Sequence, residues 1–272
     1  MRFSRFLMIF SIIYIDSFSS IAGATDLKPP LIPHHALYTM NLVESYGNGG
    51  LRNARGAMTY EFKDQCDGWS VESKVYLRLQ YGNLPEVENI RSMATWESKD
   101  GLIFHFRLKD ENNGKLTEEI IGIAKLDGTG LGGLVEYTKP TPGEIVLPQG
   151  TIFPTTHIQS LIQYARKGGK HTTKIMFDGA TLDNPYEVSG VIGIGSGGEY
   201  LSPLLLKVLD KITNWKIRMA YFPINGKKET PDIELDIEMR ADGIVSRILQ
   251  EFEGYSIEAR LNQINFLGRA DC

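Results

Sequence analysis

The sequence predicts a mainly β protein: a strongly curved antiparallel sheet forming a spiral or an open, barrel-like structure, with one or two helices packed against it. Three observations lead there. Apolar residues recur at every second position through most of the chain, turn-forming residues separate those runs, and only one segment carries a convincing helical period. So many strands around so few helices must curl, close or split to bury one face and protect their edges.

Taken in order, the chain opens with Arg2 and Arg5, an apolar run from Leu7 to Ile15, and Ala22-Gly23-Ala24. This is the pattern of a secretory signal peptide over residues 1–24, cleaved after Ala24. The apolar run is broken by Asp16 and a serine cluster, short of the ~20 residues a membrane span requires. A soluble mature chain, residues 25–272, is expected in the periplasm as one domain.

In the first half, Trp69, Val71, Val75, Leu77, Leu79 and Tyr81 share a parity, as do Leu102, Phe104, Phe106 and Leu108. Each set reads as a strand with one wet face. Lys99-Asp100-Gly101 supplies a turn, and the Gly- and Pro-rich patches between residues 126 and 151 are about loop length. The helix follows: Pro154 with Thr155 or Thr156 opens it, Ile158, Leu161, Ile162 and Ala165 share a face, and Gly168-Gly169 stops it. Pro203 to Asp210 suits either a second short helix or a buried strand.

Toward the C-terminus, Trp215, Ile217, Met219 and Tyr221 alternate with Lys216 and Arg218, and Ile233, Leu235, Ile237 and Met239 alternate with Glu234, Asp236 and Glu238. Asp178-Gly179 and Ala241-Asp242-Gly243 are read as hairpin turns. The three alternating carboxylates share one face, expected to be solvated and to guard an edge rather than to hold a cation.

Composition excludes one class of partner. The formal net charge is −4, with 29 basic against 33 acidic residues, so no clustered cationic surface for nucleic acid is expected. The two cysteines, Cys66 and Cys272, form an even pair in an exported chain and are expected to bond to each other. Closing a loop of that length removes about 5 kcal/mol of chain entropy from the unfolded state. A redox-active pair would call for C-x-x-C spacing, which is absent.

Catalytic and cofactor signatures are weak. Gly128, Gly130 and Gly133 match G-x-G-x-x-G, but Leu134 to Tyr137 read as strand where a dinucleotide site needs a helix. The run from Gly193 to Gly198 lacks the lysine of a phosphate-binding loop. Among His34, His35, His105, His157 and His171, no pair has the spacing of two zinc ligands on one helix, and no metal or cofactor is expected. His157, in Pro154-Thr155-Thr156-His157, is the one functional candidate; a hydrogen bond from its ring to a neighbouring loop is the expected arrangement there. The aromatic surplus of the strand-like runs leaves room for an apolar cavity on the concave side, able to take a lipid-like ligand.

Several segments together resemble the envelope integrity protein B family, the EipB-like periplasmic proteins of alphaproteobacteria. They are His34-His35-Ala36-Leu37-Tyr38, Tyr60 to Trp69 with Cys66, Ala94-Thr95-Trp96-Glu97-Ser98-Lys99-Asp100-Gly101, Phe153-Pro154-Thr155-Thr156-His157, Met219-Ala220-Tyr221-Phe222, Asp242-Gly243-Ile244-Val245-Ser246 and the terminal Cys272. The resemblance implies a β-spiral wrapped almost into a barrel around a helix, a disulfide from an early strand to the C-terminus, and no established catalytic residues. It also implies a role in envelope integrity under stress, with a tetratricopeptide-repeat periplasmic protein as partner. The expected function is therefore non-enzymatic support of the envelope through protein–protein interaction; the alternative is a carrier or sensor of an apolar ligand.

Overall fold

A computed structural model describes residues 30–46, 50–224 and 229–272. The proposed signal peptide, residues 1–24, lies outside the described residues. Eight strands form the first run: β1 (His34–Ser45), β2 (Leu51–Asp64), β3 (Gly68–Tyr81), β4 (Val87–Ser98), β5 (Ile103–Asn112), β6 (Lys115–Leu126), β7 (Gly133–Lys139) and β8 (Gly143–Leu147). The two-residue β9 (Thr151–Ile152) leads into helix α1 (Pro154–Arg166), then β10 (His171–Met176) and β11 (Tyr186–Ile194). A four-residue helix α2 (Leu205–Val208) precedes β12 (Asn214–Pro223), β13 (Ile233–Arg240), β14 (Val245–Phe252) and β15 (Tyr255–Phe266).

All fifteen strands belong to one sheet, ordered β8-β7-β6-β5-β4-β3-β2-β1-β15-β14-β13-β12-β11-β10-β9. Neighbours pair antiparallel except β9 with β10, which are parallel and joined through α1. This order dictates the shape. β8 and β9 stand at opposite ends of the sheet, which laid flat would hold them roughly 65 Å apart. Yet only residues 148–150 separate them in the chain, a span of at most about 14 Å. The sheet must therefore curl until its two edges nearly meet, giving a nearly closed, barrel-like wrap.

The alternating runs behave as read. Phe104, Phe106 and Leu108 pack with Ile120, Val135 and Phe153, while Trp215, Ile217, Met219 and Tyr221 share a core with Ile237, Met239 and the α1 residues Leu161, Ile162 and Ala165. Residues 126–151 hold more than loops, since β7 and β8 run through them. The glycine motif there is turn and strand start: Leu131 donates to the carbonyl of Gly128, Gly130 has φ +76°, and Gly133 opens β7.

Helix α1 begins and ends where its signals stand. Gly168, at φ +79°, donates its N–H to the Ala165 carbonyl, and Gly169 donates to that of Tyr164, the paired bonds of a Schellman motif. At the other end the N-cap is Phe153, whose side chain has no hydrogen-bonding group to offer. A residue from β4 does the work instead. Glu97, 2% exposed, accepts bonds from the N–H groups of Thr155 (2.6 Å) and Thr156 (2.8 Å) and from the Thr156 hydroxyl (2.6 Å). Three donors and the positive end of the helix compensate a carboxylate whose burial still pushes its pKa upward.

One reading is refined and one corrected. Asp178-Gly179 does lie between antiparallel strands with Gly179 at φ +66°, but the connection of β10 to β11 takes nine residues, 177–185, because Phe177 leaves the strand to pack on Phe104 and Phe106. Gly179 sits so close to Phe106 that an added Cβ would lie 2.5 Å from the ring. The carboxylates of β13 are the second case. Glu234 is exposed, but Asp236 and Glu238 are 3% and 2% exposed rather than solvated, because side chains of β12 and β14 close over Asp236 while Ser196, between β11 and β12, and Asn214 close over Glu238.

That covering is chemically specific. Asp236 meets Lys216 (3.2 Å), Arg218 (3.3 Å) and Arg247 (3.4 Å), and Arg247 shares Glu258 with Arg260. Glu238 accepts from the Ser196 N–H (3.0 Å) and the Asn214 side chain (3.4 Å). Tyr200 lays its ring 4.7 Å from the Arg247 guanidinium, and Arg240 holds Asp242 through two bonds while donating to the Asp210 carbonyl. Burial alone would raise the Glu258 carboxyl, but the bonds from Arg260 and Arg247 hold it below its ordinary value.

Cys66 and Cys272 are joined by a disulfide with a Cα–Cα distance of 5.7 Å. Cys66 lies in the turn between β2 and β3 rather than in a strand, at φ +60°. The bond clamps the last residue of the chain to that turn.

Candidate functional site

The inward faces of the wrap do not fill it. A cavity of about 340 Å³ remains between α1 and the strands of both halves of the sheet. Its walls come in period-two pairs, as one face of each strand requires: His34 and Tyr38 from β1, Met58 and Tyr60 from β2, Val71 and Ser73 from β3, Met93 and Thr95 from β4. Opposite stand Met219 and Tyr221 from β12 and Leu235, Ile237 and Met239 from β13. Val245 and Ile248 of β14, three residues apart, both reach the cavity because a bulge at Glu238/Met239 leaves Ser246 as an extra residue. Helix α1 closes the remaining side with Thr155, His157, Ile158 and Leu161.

The wall is mostly apolar and soft. Beyond residue 24 the chain has six methionines, and five of them, Met58, Met93, Met176, Met219 and Met239, line this cavity. Unbranched thioether side chains adapt to occupants of varied shape. No sequence motif marks them, but their positions on inward-facing strand parities were readable.

A few polar groups interrupt that lining. His157, 3% exposed, is the residue singled out from the sequence, and the structure places it on the cavity wall. It does not tie down a loop through Nε2 as expected: that nitrogen has no hydrogen-bond partner among the described residues. Its neighbours on the helix give the reason, since the first turn is anchored by backbone and threonine bonds to Glu97 and leaves the ring facing apolar side chains. Burial, with a smaller contribution from the charge of Lys174, lowers its pKa to about 4, so the ring is neutral at physiological pH.

Three other polar residues of the lining, Tyr38, His34 and Asp178, are bonded within the protein. Tyr38 donates its hydroxyl to the Val245 carbonyl (2.8 Å), and the His34 Nδ1 lies 2.7 Å from the Ile32 carbonyl. Burial pushes the Tyr60 hydroxyl up to about 12 and keeps it protonated. Asp178 borders the cavity with one oxygen bonded to the Ala180 N–H (2.9 Å) and the Asn184 amide (2.8 Å); burial raises its pKa against those bonds. His35, one residue from His34, faces the opposite side of the sheet, and His105 and His171 lie away from the cavity.

The outer face carries a second concavity. A trough over β3 to β6 is lined by Trp96, His105, Arg107, Ile121 and Ile123, with the Trp96 and His105 rings packed edge to face at 5.4 Å. It continues toward Lys74, Glu72 and Lys109. These side chains mix charge with apolar surface, unlike the inner wall.

Comparison with known proteins agrees with this architecture. The EipB-like family matches residues 25–268. The cell envelope integrity protein EipB of Brucella abortus (strain 2308) is 26% identical over 273 residues, covering 97% of this chain and 95% of that protein. A crystal structure of a β-barrel-like protein of a domain of unknown function, also from Brucella abortus, superposes with a TM-score of 0.80 at 25% identity, covering 88% of this chain and 99% of the other.

Proposed function

The chain belongs to the EipB-like family, and from that premise we propose that it supports cell-envelope integrity by holding a lipid-like ligand in the cavity between α1 and the sheet. The cavity carries this reading: about 340 Å³, walled by methionines, tyrosines and aliphatic residues, with few polar groups, a size and composition typical of small-molecule sites. The protein works in the periplasm, after loss of residues 1–24, by binding rather than by catalysis. The name of the Brucella relative supports the envelope role.

Protein–protein interaction is the second reading, favoured by the outer trough around Trp96, where an aromatic anchor, an arginine and two isoleucines share one concave surface. A tetratricopeptide-repeat protein is the partner implied by the family resemblance. The two readings are compatible, since one uses the inside of the wrap and the other its outside.

Native mass spectrometry of protein isolated gently from its own envelope, followed by solvent extraction, tests the first. A reproducible lipid-sized adduct is expected, and an Ile237→Trp variant, whose indole projects into the cavity, should lack it. Bare protein, or protein retaining only a protein partner, would overturn the ligand reading and leave the outer trough.

A further inference from the structure

We propose that the cavity selects an uncharged, hydroxyl-bearing single-chain amphiphile and places its hydroxyl against Nε2 of His157. The proposal rests on the ligand reading above and narrows it to a chemical class.

The first support is the unpartnered nitrogen. A buried ring nitrogen without a hydrogen bond is costly, and such groups are rare unless something outside the protein satisfies them. Nε2 of His157 is in that position, on a helix whose first-turn donors Thr155 and Thr156 are engaged by Glu97. Its neighbours shut it off from water-sized space, so a ligand reaches it as the flexible side chains beside it give way. An incoming group that bonds it gains the free energy the folded protein lacks.

The second is the charge of the wall. Among the described residues that line the cavity, none is a lysine or arginine, and one, Asp178, carries a carboxyl group. A carboxylate or phosphate drawn inside would lose its hydration with no cation in the lining to receive it and would meet Asp178. Two cations lie outside the lining: Lys174, whose charge is felt at His157 but whose side chain is exposed to water, and Arg91, whose guanidinium is bonded to the Asp110 carboxylate (2.9 Å) and the Ala180 carbonyl (2.5 Å). The buried end of the ligand is therefore neutral.

The third is the bonding pattern of a neutral imidazole. Nε2 either donates or accepts, depending on which nitrogen holds the proton. A hydroxyl can answer either state, since it both donates and accepts; a carboxylate only accepts. The methionine-rich remainder of the wall suits a flexible alkyl chain, which the same argument requires at the other end of the molecule.

The experiment uses a matched pair at pH 8: 1-dodecanol and dodecanoate compete for the purified mature protein against the apolar fluorophore N-phenyl-1-naphthylamine, in wild type and in His157→Leu. Dodecanol should displace the fluorophore at concentrations about tenfold or more below dodecanoate, and His157→Leu should weaken dodecanol about tenfold, its inhibition constant being corrected for the fluorophore affinity measured on the same variant. A near-UV circular dichroism spectrum matching wild type shows that the variant keeps its fold. Equal or tighter binding of dodecanoate overturns the selectivity and leaves the ligand reading standing. A dodecanol preference unchanged in His157→Leu overturns the role of His157. Failure of all three compounds to bind wild type sinks the ligand reading, and this inference with it.

Discussion

On the inner side of β13, Leu235, Ile237 and Met239 border an open apolar space; on its outer side, one residue away in each direction, Asp236 and Glu238 are buried with their carboxylates engaged, the first by basic side chains and the second by Ser196 and Asn214. Both faces are withdrawn from water, yet they solve burial differently. Outside, each buried charge is matched by a guanidinium, an ammonium or an N–H group, so the layer is closed to any newcomer. Inside, the apolar residues are underpacked and a polar atom, Nε2 of His157, is left unmatched. The faces differ in charge pairing and packing rather than in complete satisfaction, since the Ser196 hydroxyl of the outer layer is also buried without a partner; what the inner face alone has is room for a ligand.

Removing a polar group should therefore have opposite effects on the two faces. The largest change is expected outside: Asp236→Ala deprives the buried Arg247 of one of its two carboxylate partners and should cost about 3 kcal/mol in urea unfolding. A loss below about 1 kcal/mol would mean that the layer is solvated in solution and that the contrast between the faces fails.

Acid should act next, and on the inside. His157 titrates near 4 in the folded protein and near 6.5 when unfolded, so the fold favours its neutral form. The stability it contributes is complete above about pH 6.5 and is lost as pH falls through about 4, to a limit of about 3 kcal/mol. His34, also lowered by burial, acts with the same sign; Asp178, raised by burial, acts with the opposite one. The difference between wild type and His157→Leu isolates the His157 share: the variant's stability profile should be flatter between pH 6.5 and 4, and parallel profiles would show that the ring is exposed in solution.

The smallest effect has the reverse direction. At pH 8, where both forms of the protein are uncharged at position 157, His157→Leu should gain about 1 kcal/mol of stability without ligand, because an unsatisfied nitrogen is replaced by alkyl groups of comparable size. A destabilised variant would show that the ring is bonded, for instance through an ordered water, and would count against a ligand hydroxyl at Nε2.

The sequence alone determined the strands, helix α1 and the disulfide candidates, because these depend on local rules. Alternation assigns Leu235, Ile237 and Met239 to one face, and Pro154 with Gly168-Gly169 bounds a helix whose φ requirements are met within a few residues. Only the tertiary structure decided which faces would be covered and by what. Periodicity puts Asp236 and Glu238 together, but it cannot foresee that Ser196 and Tyr200, some forty residues earlier, fold back to shield that layer from water. Likewise Phe153 announces a helix without a cap, and the carboxylate that supplies it, Glu97, stands 58 residues from Thr155. His157 stood out in the sequence for its place at the helix start, whereas its unpartnered nitrogen and its methionine surroundings exist only once the sheet has curled far enough to bring β1 to β4 opposite β12 to β14. Local chemistry chooses the elements; the curl of the sheet, which no single strand encodes, makes the cavity.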